Sequence, residues 1–484
     1  MWRTDGIVRV AGLVATLVLA AVSACTLSPL PEASSCGPQR READGSCCPL
    51  FTRYADGECT PRSLVELDPL GAGHPGALAL AVDGTGRGLV GWTQETDVLV
   101  AEETTDGRFV LRDGLAPKNQ GTALGLDVAA GPTGEALVAW GTNGVPAPDG
   151  SRVFYASRTA TGAWTAAASP ISFGDRAYEP RVAIGPDGDA VLLWNQWYDE
   201  SHYGVAFATA RHVGAPLEAP AAANDVLSPP VFFSNGPRVA VGADGEVVVT
   251  WYQAESELMT YVSQRASRDE AMTRPAAGDH LSVSGGPVDS HPVSNPKPAL
   301  GPDGQAAVVW TQEDARGSVR TYLATRDAGG NWYSPRSLDD ALSGGGYSRC
   351  AEVVFGAKGD LFVVFQQDNV AMLSARAADG TWLTPPGSPQ RLSGEGVLGL
   401  DPHVAAGRDG SVVVVFHELD GTESRLRVLE LESGAPEIAK PPLVAMTGTG
   451  FGTPLVAVGG EDDRVLIGVI EHTGDSSRVR LLSQ

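Results

Sequence analysis

The sequence predicts an all-β protein: an eight-bladed β-propeller of four-stranded blades, with a short disulfide-rich segment before it. Three observations carry this. A sixteen-residue phrase, seen at residues 181–196 as RVAIGPDGDAVLLWNQ, occurs eight times along the 484 residues. Its aromatic anchors Trp92, Trp140, Trp194, Trp251, Trp310, Phe365 and Phe416 stand 48 to 59 residues apart, a period of propellers and solenoids, not of separate domains. The last copy lacks a fourth strand, and residues 63–69, ahead of the first copy, supply a matching segment. Seven blades with one degenerate element is the alternative. An open solenoid leaves the borrowed strand unexplained. The predicted organisation is a targeting segment over 1–24, a tether over 25–62 and the propeller over 63–484.

The targeting segment comes first. Arg3 and Arg9 precede an apolar run at residues 10–22, which is of signal-peptide length and too short for a typical spanning helix. It ends in VSAC, residues 22–25. Small residues before a cysteine resemble the bacterial lipoprotein signal, with Val22 where Leu is usual. That resemblance implies lipidation of Cys25 and an acyl anchor in the cell envelope. Thr26, in place of Asp, favours the outer membrane by the same analogy. An ordinary secretory signal cleaved nearby is the plainer reading.

In the tether, Cys36, Cys47, Cys48 and Cys59 fall within one short stretch. In an exported chain four such cysteines read as two disulfides. A bond between adjacent Cys47 and Cys48 is strained, which leaves two connectivities open. Zinc is the rival, but the spacing has no C-x2-C pair and no accompanying His. Cys350 is left over and reads as a buried free thiol.

Each repeat then reads as a hairpin. An apolar segment such as RVAIG meets a PDG turn, in which Pro sets φ, Asp bonds its own backbone and Gly takes the left-handed conformation. The segment after the turn is continuously apolar, as in SVVVVF at residues 411–416. Strands read that way when both faces are buried, as they are between neighbouring blades. A third strand follows (VRTYLATRD from Val319), then a short fourth with Trp and Pro (NWYSPRSLD from Asn331). Pairing of residues 63–69 with the last repeat closes the ring and removes exposed sheet edges.

The stretch TRDAGGNW, residues 325–332, resembles the Asp-box of sialidase-like propellers through Thr325, Asp327, Gly329 and Trp332. In that family the box is a structural turn between third and fourth strands. The repeat also resembles exported bacterial repeat proteins of unassigned function, over about residues 63–484. Fold analogy does not transfer activity. Sialidases need an arginine triad, an acid/base and a Tyr–Glu pair. Arg181 and Arg238 follow Pro in PRV, yet they occupy a periodic position held elsewhere by Asp127, Lys297, Glu352 and His403, so they read as scaffold.

The remaining features limit the functions open to the chain. A formal net charge of −23 excludes nucleic acid and anionic membrane surfaces as electrostatic partners. HELDG at 417–421 lacks the second His of a zinc protease, and GDSS at 474–477 lies in an inter-strand loop. GTGRG and GTGFG have no phosphate-loop Lys and no following helix, and read as turns. Gln94, Gln196, Gln253, Gln312 and Gln367 recur at the end of the second strand. They read as amide hydrogen bonds that tie neighbouring blades, or else as a polar, anionic rim for a cation, a sugar or a basic peptide. The least periodic loop is WNQWYDESHYG, residues 194–204. There Trp197, Tyr198 and Tyr203 offer stacking surfaces and Asp199, Glu200 and His202 offer hydrogen bonds. No catalytic residue, metal ligand or cofactor is assigned, and Ca2+ has no motif behind it. The expected function is a membrane-anchored platform that binds a protein, peptide or glycan. The alternative is a propeller-type glycoside hydrolase or lyase.

Overall fold

In the computed structural model the chain divides into two units, Met1–Arg62 and Ser63–Gln484. The described residues are 52–55, 58–61, 65–67 and 74–483. Positions 113–114, 116–121, 144–149, 175, 200–201, 211, 213–214, 230–232, 255–257, 284–293, 314–316, 409, 422, 433–441, 449, 461–462 and 474–475 are excepted. In the first unit Thr52–Ala55 and Glu58–Pro61 form an antiparallel hairpin. The targeting segment, Cys25, Cys36, Cys47 and Cys48 lie outside the described residues. Cys59 sits in the second strand of that hairpin, with its side chain also outside them. Among the described residues no helix is long and apolar enough to cross a membrane.

The second unit is an eight-bladed propeller. Blade 1 runs from Pro75–Val82 through Gly88–Gln94 and Asp97–Glu103 to Phe109–Arg112. The first strands of blades 2 to 8 are Thr122–Ala130, Ala177–Ile184, Phe233–Val241, Ser294–Leu300, Ser348–Phe355, Leu398–Ala406 and Leu455–Gly459. Each first strand touches the first strand of the next blade, and Leu455–Gly459 touches Pro75–Val82. The first strands therefore form a closed inner ring around the propeller axis. In blades 3 and 4 the fourth strand is reduced to single bridges, Thr209 with Glu218 and Tyr261 with His280.

The repeated phrase builds this directly. In blade 3 the turn closes with Gly185 N–H on Asp189 O at 2.8 Å and Gly188 N–H on Gly185 O at 2.9 Å. Gly188 has φ +83°, which a side chain would strain. The second strand that follows is buried throughout. Leu192, Leu193 and Trp194 are fully enclosed, because Leu192 and Trp194 face blade 2 while Leu193 faces blade 4. This is why the sequence shows no alternation there.

In blades 3 to 6 the recurring Gln clips the second strand to the segment entering its blade. Gln196 Oε1 accepts Trp194 Nε1–H at 3.0 Å and Phe173 N–H at 2.9 Å, and its amide donates to Phe173 O at 2.8 Å. Gln253 and Gln312 accept the same bond from Trp251 and Trp310. At the equivalent position of blade 7, Glu418 Oε1 accepts Gly394 N–H at 3.1 Å.

Closure uses the segment expected. Val65–Leu67 pairs antiparallel with Ser476–Ser483, Val65 opposite Leu481 and Leu67 opposite Val479. One apolar cluster then joins Val90 and Trp92 of blade 1 to Leu466, Val479 and Leu481 of blade 8. Arg464 of blade 8 also pairs with Glu103 of blade 1.

Candidate functional site

The inner ring carries a local irregularity. In blades 1 to 7 the register slips by a bulge early in the first strand, as between Tyr178 and Arg181 or between Asn235 and Arg238. A bulge re-aims the residues beside it. In blades 2 and 4 the bulge holds Gly125 and Gly236 at positive φ. In blades 3, 6 and 7 the same place holds Glu179 (φ +53°), Cys350 (φ +53°) and Asp401 (φ +46°). Glycine is the unstrained choice there, so these three chemistry-bearing side chains are held at a conformational cost.

Two residues further on stands the periodic charged position: Asp127, Arg181, Arg238, Lys297, Glu352 and His403 in blades 2 to 7. Blades 1 and 8 put Ala79 and Leu455 there. Arg238 feels Arg181, Asp127, Glu179 and Glu352, which belong to four different sites on three other blades. Their equivalent register on the first strands, which contact one another in turn, places these groups around the common axis.

The layer has two halves. In the first, Glu352 takes Lys297 and His403, the latter at 2.8 Å to Nδ1, and accepts Val404 N–H at 3.0 Å. Burial works to raise the Glu352 carboxyl, but His403 and Lys297 outweigh it and hold it well below the usual carboxylate range. In the second half the arginines are less compensated. Arg181 donates to Pro180 O at 2.9 Å, and Arg238 to Pro237 O at 2.8 Å. Among the described residues neither has a carboxylate within ion-pair distance. Burial, and then Arg181 beside it, push the Arg238 guanidinium down to about 9. Burial pushes the Asp127 carboxyl up, while its oxygens accept Val182 N–H at 3.0 Å and Val128 N–H at 3.1 Å.

Around the arginines lies a polar set. Asn195 Nδ2 donates to Glu179 Oε2 at 3.0 Å and to Asn235 Oδ1 at 2.7 Å, and Gly236 N–H reaches Glu179 Oε2 at 3.2 Å. Burial and then Glu179 push the Tyr252 phenol up. On the far side Cys350 Sγ meets Asp401 Oδ1 at 3.3 Å, and burial followed by Asp401 pushes the thiol up to about 12. Cys350 is half-buried and free.

The sequence-selected loop lies at the turn between the second and third strands of blade 3. Tyr198 stacks on His202 with centroids 5.9 Å apart, and His202 Nδ1 meets Asp199 at 2.8 Å. Arg176 covers Trp197 at 4.9 Å, and Tyr198 also packs against the core between blades 2 and 3. Glu200 lies outside the described residues. Tyr203 begins the third strand, its side chain outside them. At the Asp-box stretch, Asp327 accepts Asn331 N–H at 2.9 Å and Trp332 Nε1 donates to Gln264 of blade 4 at 3.1 Å. These are turn and packing contacts. His417 is buried and bonds Ser424 at 2.9 Å. Ser477 bonds His472 directly across its hairpin at 2.7 Å. Among the described residues no three His, Cys, Asp or Glu side chains gather as a metal site.

Sequence reasoning passed over the charged layer because Arg181 and Arg238 share a position with Asp127 and Glu352, so charge did not recur with the period. The missed signal is local: Gly125 and Gly236, two residues before that position, mark a bulge that three blades fill with Glu, Cys or Asp.

No family model and no curated protein matches the sequence. Among solved structures the chain is similar to an ulvan lyase from a polysaccharide lyase family (TM-score 0.46, 9% identity, 72% of this chain and 91% of that one). It is also similar to a Dyadobacter fermentans protein of unknown function (TM-score 0.39, 14%, 63% and 93%). A third likeness is to the Hadza microbial sialidase Hz136 (TM-score 0.35, 9%, 70% and 74%). At these identities the likeness carries nothing about activity.

Proposed function

We propose that the propeller is a binding platform whose ligand, a glycan, peptide or protein segment, presents an acidic group to the axis at Arg181 and Arg238. The observation that supports this is the pair itself. Two adjacent, half-buried guanidiniums are each tied only to the carbonyl of the preceding proline, with no ion-pairing carboxylate among the described residues. A guanidinium that feels carboxylates only at a distance, as Arg238 does Asp127 and Glu179, gains from an incoming anion that makes direct contact. Export and the Cys25 lipid anchor belong to the same proposal. They would display the platform on the cell envelope, the outer membrane favoured, with the cysteine segment as its tether. The loop of Trp197, Tyr198, Asp199, Glu200, His202 and Tyr203 would extend the contact surface of blade 3.

Titrating the protein with acidic and neutral oligosaccharides and peptides tests this reading. Acidic ligands should bind and neutral ones of equal size should not. Arg181→Ala and Arg238→Ala should each weaken binding about tenfold or more, the loss expected for a charge-assisted contact. Binding of neutral and acidic ligands alike, unchanged in both variants, would dismiss it.

A second reading, a glycoside hydrolase or lyase, is favoured by one observation: Tyr252 stands opposite Asn235, and Asn235 and Glu179 share the amide of Asn195, at 2.7 and 3.0 Å. In that reading Tyr252→Phe abolishes release of new sugar ends from an acidic polysaccharide while leaving its binding intact.

A further inference from the structure

Four third strands end in an arginine: Arg158, Arg265, Arg326 and Arg376. Three of these have an acid from the preceding blade. Arg158 takes Glu102 at 2.6 Å and Asp83 at 2.9 Å from blade 1. Burial lowers the Arg265 guanidinium and Asp189 of blade 3, itself paired with Arg268 at 2.9 Å, offsets part of this, while Arg326 pairs with Glu246 of blade 4. Asp189 and Glu246 occupy one repeat position, the residue after the turn glycine. In blade 5 that residue is Gln305.

Arg376 accordingly differs from its siblings. Arg158 and Arg326 are buried, whereas Arg376 is half-buried and lines a cavity of about 210 Å3 between blades 5 and 6, with Gln305 and Thr325. Its Nε–H donates to Gly380 O at 2.9 Å, and its guanidinium lies 5.9 Å from the Trp382 ring centroid. Among the described residues it has no carboxylate within ion-pair distance. Two acids also line the cavity and are bonded within their own turns, and Asp379 feels the Arg376 charge without reaching ion-pair distance. Asp327 accepts Asn331 N–H and Tyr333 Oη–H, each at 2.9 Å. Asp379 accepts Thr381 N–H at 2.8 Å.

We propose that this cleft binds a carboxylate supplied from outside the ring, taking against Arg376 the place that Glu246 takes against Arg326. Its source is the acidic side chain of a polypeptide or a small organic acid. The cavity admits such a group but not a folded element, and the repeat itself shows the contact that is missing. This site is separate from the axial arginines.

The test uses the full chain, with sodium acetate and an acetylated, amidated glutamate tripeptide as probes at constant ionic strength. Thermal unfolding and calorimetric titration are the readouts. Wild type should show a saturable rise in Tm with either probe. Arg376→Gln should lose it, with affinity falling about tenfold or more. Gln305→Glu, nearly isosteric, should already have a higher Tm without probe and should no longer respond, because its own carboxylate fills the place. Tighter binding of the peptide assigns a polypeptide source and equal binding a free acid; both uphold the site. An absent response in wild type, or one that persists in either variant, overturns it. The whole series is run in an Arg181→Ala/Arg238→Ala background, which serves as its wild type and in which the axial guanidiniums take neither probe, so failure here and failure of the axial reading are told apart.

Discussion

At the scale of single residues, Glu352 ties three blades together, and its charge makes the ring pH-sensitive. Its carboxyl is held well below the usual range by His403 and Lys297. A group whose folded pKa lies below its unfolded value stabilises fully above the unfolded value, about 4.3 for Glu, and loses that contribution as pH falls from there toward the folded value. Glu352→Gln should therefore cost about 3 kcal/mol at pH 7, the order expected when one partner of a buried pair is removed. The gap from wild type should narrow at pH 3. Urea midpoints of both proteins at the two pH values check the sign, and a gap that widens on acidification contradicts it. Cys350 gives a second residue-scale expectation. With its thiol pushed up to about 12, it carries little thiolate at pH 8 and should be alkylated far more slowly than a free cysteine. Peptide mass spectrometry of the Cys350 fragment over time reads this out. Asp401→Asn, which removes the second cause of the shift, should speed the reaction. The thiol was legible in the sequence only as a leftover; its neighbours Asp401 and Lys297 come from other blades and have no sequence proximity to it.

At the scale of the element, the turns of the repeated phrase do two jobs that the sequence shows unequally. Their hairpin chemistry is local, so PDG between apolar runs was enough to read them. Their role at the blade junctions is not local. Gly84 N–H donates to Gly131 O of blade 2 at 2.9 Å, and a Cβ on Gly84 would stand 1.8 Å from Pro132 O. That glycine is required by an approaching backbone, since its φ is not in the left-handed region. Gly345 is the contrast, with nothing within 4 Å of an added Cβ and no positive φ. Gly84→Ala should lower stability by about 3 kcal/mol through overpacking, whereas Gly345→Ala should stay within about 0.5 kcal/mol of wild type. Chemical denaturation of the two variants side by side decides it; equal effects would mean that the blade 1–2 turn contact gives way freely. The first-strand bulge was the least legible element for a related reason. Its positive-φ position holds glycine in blades 2 and 4 but Glu, Cys or Asp in blades 3, 6 and 7, so the glycine signal does not recur with the period.

At the scale of the whole molecule, the number of blades was legible because every blade repeats one hairpin, and closure was legible because the first and last segments complement each other. What holds the ring shut is nonetheless short. Val65–Leu67 supplies three residues to the sheet of blade 8, supported by the ion pairs of Arg478 and Glu66 at 3.0 Å and of Arg464 with Glu103. Without that strand, the edge of Ser476–Ser483 is left with unpaired N–H and C=O groups along a stretch whose Val479 and Leu481 are fully buried in the closed ring. Such an edge invites pairing with another chain. Glu66→Pro removes a pairing residue and its ion pair in one change, and a proline inside a strand cannot donate to the ladder. The variant should melt at lower temperature and, above a threshold concentration, associate through the exposed edge. Light scattering coupled to size exclusion would then show dimers or larger species absent from wild type. Glu66→Gln keeps the strand and loses only the charge, so it should remain monodisperse wherever wild type does. If the proline variant keeps wild-type mass and melting temperature, the ring is held by its inter-blade cores alone and the first strand is dispensable to closure.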